Sequence, residues 1–153
     1  MRAVVCGGAF SLISDIKKCP VDAVKISVNH HATYMLDCDY IVTIENKAWL
    51  KKNYLKFIDI PMIDTKGLKI IGYGGTAGIS FALHRLQADQ VYIAGMDLYQ
   101  TDYYYTETTP KGVKRPFNDR LAFWEIYRES LKQDASRVIP LSGPLVEIWN
   151  IEN

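Results

Sequence analysis

The sequence predicts an α/β fold: a three-layer, Rossmann-like domain with a mainly parallel central sheet. Three observations point to it. Short β-branched runs alternate with helical patterns along the chain. The runs are apolar throughout rather than alternately polar, as strands covered by helices on both faces must be. A chain of 153 residues, 48% hydrophobic and 23% charged, has the size and composition of one ordinary globular domain, so 1–153 is read as a single unit.

The elements follow in order. "RAVVC" at 2–6 reads as the first strand and residues 11–18 as a helix; "AVKISV" at 23–28 and "YIVTI" at 40–44 are the next two strands. A helix is expected at 46–54, and a short strand at 57–60 ahead of Pro61. "LKIIG" at 68–72 is read as a further strand, ahead of a helix at 76–87 in which Ile79, Ala82 or Leu83, and Leu86 recur at helical spacing. "VYIAG" at 91–95, a helix at 118–133 and "RVIPL" at 137–141 complete the pattern, with Thr76 and Asn118 as expected N-caps. The longest stretch without a pattern runs from 96 to 117, and a loop of that length in a compact domain is usually functional.

Bulk properties exclude several classes of function. Eighteen basic and seventeen acidic residues give a net charge near +1, so no global field exists to hold a nucleic acid. Lys47, Lys51 and Lys52 fit a solvated helix face; Lys111, Lys114 and Arg115 form a short basic run in the long loop. Cys6, Cys19 and Cys38 are odd in number, lack CxxC spacing and follow no secretory signal, which places the expected protein in a reducing cytoplasm. No apolar run is long enough to span a bilayer. A tyrosine-rich loop in a chain that is 12% aromatic leads to the expectation of a homo-oligomer.

In open parallel sheets, ligands bind beyond the carboxyl ends of the strands. The segments there are "CGGAFSL", "NHHAT", "ENKAW", "YGGTAG" and "MDLYQTDYYY". Gly7 and Gly8 permit close approach of a ligand, and Ser11 is an N-cap or phosphate donor; a simple tight turn explains them equally well. Neither GxGxxG nor GxxxxGK[ST] occurs, so ordinary Rossmann dehydrogenases and P-loop enzymes lose support. Thr76 and Gly78 open a helix that either receives an anion or packs closely on the sheet. His30 and His31 are adjacent, and in extended chain they point apart, so no metal site is expected. His84, within a helix, reads as structural. Asp97 either binds a ligand hydroxyl, holds a cation or caps the local backbone. Tyr99, Tyr103, Tyr104 and Tyr105 either cover the sheet or donate hydrogen bonds to charge on a leaving phosphate.

"VVCGGAFSL", "TAGISFALHRLQADQVYIAGMDLYQ" and the tyrosine six residues beyond Tyr99 together resemble the bacterial sialyltransferases that use a CMP-activated sugar, and the related 6-hydroxymethylpterin diphosphokinase-like group. The resemblance implies a minimal core that binds a pyrimidine nucleotide or nucleotide-sugar, CMP or a CMP-sugar, through Gly7, Gly8, Ser11, Asn29, Thr76, Gly78 and Asp97. It implies that Tyr99 and Tyr105 hydrogen-bond the departing phosphate, with no cofactor and no metal. This sequence departs from the pattern in three places: Gly8 replaces an asparagine, Ala77 a serine, and the base histidine of the family is missing. His30 or His31, beside Asn29, is then the expected proton acceptor. Three alternatives remain: a noncatalytic nucleotide-binding module, a diphosphokinase-like enzyme with Mg²⁺ near Asp97, and an interaction protein with its tyrosines in a subunit interface.

Overall fold

A computed structural model describes residues 1–56, 58–105, 107–109 and 116–150. The described strands are β1 (Arg2–Cys6), β2 (Val24–Val28), β3 (Tyr40–Val42), β4 (Met62–Ile63), β5 (Gln90–Ala94) and β6 (Val138–Pro140). They form one sheet in the order β4-β3-β2-β1-β5-β6, every pairing parallel. The helices are α1 (Leu12–Asp15), α2 (Lys47–Asn53), α3 (Gly74–Ser80), α4 (Phe117–Leu131) and α5 (Pro144–Trp149). A π-helical turn, Phe81–Arg85, continues α3.

The apolar strands are buried on both faces, as the sequence requires. Ala3 and Val5 join a core with Ala77 and Ile79 of α3, Trp124, Tyr127 and Leu131 of α4, and Leu145 and Ile148 of α5. Val4 and Cys6 point the other way, into a cluster with Leu12 of α1, Ala32 and Ala94. Beside it, Leu50 of α2 packs with Ile41 and Leu55. The three layers are therefore α3, α4 and α5, then the sheet, then α1 and α2. Burial of each large apolar side chain contributes roughly 1.5–3 kcal/mol, which outweighs any local propensity. Among the described residues, no helix is long and apolar enough to cross a membrane.

Local signals set some helix ends and not others. Asn46 caps α2 by accepting a hydrogen bond from Trp49 N at 2.9 Å. Pro144 starts α5 directly after Gly143, whose φ of +77° needs a glycine. The sequence did not signal α5 as a helix. The expected caps Thr76 and Asn118 are not the caps: Tyr73 precedes α3 and Pro116 precedes α4.

Two expected strands change. Residues 58–60 carry no strand, Phe57 lies outside the described residues, and pairing begins after Pro61 with β4. Residues 68–72 are not a strand either. Leu68, Ile70 and Ile71 do pack against the main core, but side chains of α3 take the place of a neighbouring strand. The Ser80 hydroxyl donates to Lys69 O at 2.7 Å, and Ile71 N donates to Thr76 Oγ1 at 3.0 Å. With its buried backbone groups partnered in this way, the segment needs no place in the sheet.

Candidate functional site

The strand order reverses between β1 and β5: the chain runs outward from β1 to β4, then returns to the other side of β1. Cys6 and Ala94 are in register, so the glycine loops that follow them lie side by side. Gly7 N donates to Ala94 O at 2.9 Å and Ala9 N to Gly95 O at 3.0 Å. A Cβ on Gly7 would fall 2.5 Å from Gly95 O, so only glycine permits this approach. At this reversal opens a cavity of about 410 Å³, a size typical of small-molecule sites.

Of the residues singled out in the sequence, Gly7, Gly8, Asn29, His31, Asp97, Tyr99 and Tyr103 line the cavity. Asn29, at φ 53°, follows β2 directly; its Oδ1 accepts from Thr43 Oγ1 at 2.6 Å, which fixes the amide and leaves Nδ2 as its donor. Asp97 Oδ2 accepts from both Thr101 N and Thr101 Oγ1, so the carboxylate caps its own loop. Leu98 and Tyr99 both adopt positive φ, 61° and 67°, a pair of left-handed residues that reverses the chain just after β5. Burial raises the Tyr99 pKa, so its hydroxyl is a neutral donor at ordinary pH.

Ser11, Thr76, Gly78, His30 and Tyr105 do not line it. Thr76 is fully buried: its hydroxyl donates to Tyr73 O at 2.7 Å and accepts from Ile71 N. Gly78 lies against the sheet, where a Cβ would meet Val5 Cγ1 at 2.7 Å. For these two positions the structure shows the packing role. Ser11 precedes α1 without capping it, and its buried hydroxyl has no partner among the described residues.

The tyrosine run folds back over the glycine loop. Ala9 and Tyr103 form an isolated antiparallel bridge, and Tyr104 N donates to Gly8 O at 2.9 Å. Tyr103 stacks on His31 with ring centroids 4.4 Å apart, and both rings pack against Gly8, where a Cβ would come within 2.7 Å of Tyr103. The Tyr104 hydroxyl donates to His31 O at 2.6 Å.

Beside the cavity lies a histidine and tyrosine cluster. Residues 29–35 form turns rather than extended chain, so His30 and His31 do not point apart: their ring centroids are 4.6 Å from each other. His30 stacks on Tyr54 at 3.8 Å. Its Nε2 lies 3.3 Å from Glu107 Oε2, and because a carboxylate only accepts, that nitrogen carries the proton. The Tyr105 hydroxyl and His31 Nδ1 share a hydrogen bond of 2.5 Å. Burial, helped by His30, pushes His31 down to about 3; burial also lowers His30. The Tyr105 pKa is raised strongly by burial and by Glu107. Among the described residues no three His, Cys, Asp or Glu side chains group closely enough to hold a metal ion. The basic run Lys111, Lys114 and Arg115 lies outside the described residues.

Sequence reading missed the wall contributed by α4. Arg120 and Trp124, four residues apart and so on one helix face, both line the cavity. The Arg120 guanidinium carbon sits 5.3 Å from the centroid of the Tyr99 ring. The available signal was a helix face of Arg120, Trp124, Tyr127 and Leu131, apolar except for one cation; all four are buried.

This arrangement has the form of a sialyltransferase-like α/β fold, and solved structures bear out the fold. Over 97% of this chain and 84% of that one, it matches the sialyltransferase CST-II in complex with a trisaccharide acceptor and CMP, with 15% identity and a TM-score of 0.56. A structure of CstII from Campylobacter jejuni in complex with a substrate analogue, cytidine-5'-monophosphate, matches over 96% and 83%, with 14% identity and a TM-score of 0.54. No family model and no curated protein matches the sequence.

Proposed function

We propose that this chain binds a pyrimidine nucleotide or nucleotide-sugar of the CMP type in the cavity between β1 and β5. The observation that carries the reading is the position of that cavity: it opens at the strand-order reversal of a parallel sheet, floored by Gly7 and Gly8 and walled by Asn29, Asp97 and Tyr99. The fold shared with CMP-bound sialyltransferase structures supports the choice of base. Calorimetry with CMP, UMP, AMP and GMP, with and without Mg²⁺, tests it. CMP is expected to bind best and without Mg²⁺. Binding that needs Mg²⁺ selects the diphosphokinase-like alternative, and no binding to any nucleotide selects an interaction protein.

Metal-independent glycosyl transfer is the second reading, favoured by Tyr99, a cavity-lining phenol that burial keeps neutral, the kind of donor that stabilises charge on a departing phosphate. Opposed to it is the state of the histidines. His31 Nδ1 is occupied by Tyr105 and its affinity for a proton is low, so the ring is a poor general base. Release of CMP from a CMP-sugar, measured with the natural chain and with Tyr99→Phe, Tyr105→Phe, His30→Ala and His31→Ala, separates transfer from binding alone. Loss of the Tyr99 phenol is expected to slow turnover by roughly 100-fold while binding is kept, whereas Tyr105, outside the cavity, is expected to matter less. Tight CMP binding without any release marks a noncatalytic module. We also read the chain as a homo-oligomer; a monomer in sedimentation at tens of micromolar would count against that.

A further inference from the structure

We propose that Arg120 and the indole N–H of Trp124 form an anion subsite in the cavity, and that they hold a phosphate ester or a carboxylate of the ligand. The inference rests on the nucleotide reading for its ligand but on separate observations for its residues. Arg120 is only 8% exposed, and a guanidinium cannot shed its charge on burial as an amine or imidazole does. It lines the cavity and lies over Tyr99, where its planar fork matches the paired oxygens of phosphate or carboxylate. Trp124, one turn further along α4, is 2% exposed and lines the same cavity. Its Nε1 is buried with no acceptor among the described residues. A buried N–H without an acceptor is costly, and a ligand oxygen would relieve it. Asn29 and Tyr99, which carry neutral donors, line the same cavity. Two carboxylates also line the cavity: Glu45, which is exposed so that its charge is screened by solvent, and Asp97, whose Oδ2 accepts from Thr101 N and Oγ1.

The test compares ratios of affinities, so that a general weakening cancels. For the natural chain, CMP is expected to bind about 10- to 100-fold more tightly than cytidine if the subsite takes phosphate. CMP-sialic acid is expected to exceed its carboxyl methyl ester by the same factor if it takes carboxylate. Arg120→Gln should collapse one of these two ratios toward unity, and which one collapses names the group held. Arg120→Lys should retain part of that ratio and Trp124→Phe should lower it by a few-fold, and these two carry the test if the glutamine variant melts at the assay temperature. If both ratios survive in the folded variants, the subsite is overturned while the nucleotide reading stands. If no nucleotide binds the natural chain, that reading falls and inorganic pyrophosphate becomes the probe. A rise in melting temperature with pyrophosphate that disappears in Arg120→Gln sustains the subsite, and no rise in the natural chain overturns it.

Discussion

At the scale of single residues, the environment rather than the residue type sets the chemistry. His31 is neutral because it is buried beside a second histidine, and that neutrality links folding to pH. Its folded pKa, about 3, lies below the unfolded value near 6.5, so between these limits the unfolded chain binds more protons. Stability from this group is therefore full above pH 6.5 or so and is lost as the pH falls toward 3. His30 is shifted in the same direction and adds to the effect. We expect urea-unfolding free energy to drop by on the order of 1 kcal/mol per pH unit between pH 6.5 and 5, and His31→Gln to flatten that slope. An unchanged slope in the variant would remove His31 as its source. Gly78 shows the same dependence on surroundings: a methyl there collides with Val5, so Gly78→Ala should destabilise the fold by about 1–3 kcal/mol, read from the urea midpoint. A neutral result would mean that α3 has room to shift.

At the scale of elements, the segment 68–72 shows why an apolar run alone does not make a strand. Leu68, Ile70 and Ile71 are partly buried against the core, and Thr76 and Ser80 partner the backbone at Ile71 N and Lys69 O. Thr76→Val keeps the shape and removes the hydroxyl, leaving Ile71 N without its acceptor; the expected cost is roughly 1–3 kcal/mol in thermal or chemical unfolding. Affinity for CMP per folded molecule should not change, because Thr76 does not line the cavity. A selective loss of CMP binding in a fully stable variant would instead give Thr76 the ligand role that the resemblance implied. The face of α4 was legible in part. Trp124, Tyr127 and Leu131 announce a buried stripe, but whether Arg120 at its start meets solvent or a cavity depends on what packs opposite it.

At the scale of the whole molecule, Asp15 ties the two halves of the sheet together at the site. It is buried at 1% exposure in α1, and its Oδ2 accepts from Gly95 N at 3.0 Å and from Ser142 Oγ at 2.7 Å, beyond the ends of β5 and β6. Asp15→Ala leaves both donors without their acceptor. The expected loss is about 3 kcal/mol, or roughly 10 °C in melting temperature, with weaker CMP binding because the loop that carries Asp97 and Tyr99 is released. A variant that melts lower but binds CMP unchanged would show that the loop holds its shape without this anchor.

The sequence by itself determined the α/β class, the parallel sheet and the loops at which to look. Continuous apolar strands separated by helices leave few other ways to bury both faces, and glycines at strand ends mark close backbone approach in any fold of this class. Gly7, Gly8, Asn29, Asp97 and Tyr99 were legible for that reason, since a parallel sheet brings every strand end to one edge. Only the tertiary structure decided which neighbours meet there. Thr76 and Gly78 turned inward to hold the backbone and the sheet, Tyr103 and Tyr104 closed over Gly8, and Arg120 with Trp124 arrived from a helix distant in sequence. Burial, hydrogen-bond partners and cavity walls are made by contacts between residues far apart along the chain, and periodicity along the chain carries no record of them.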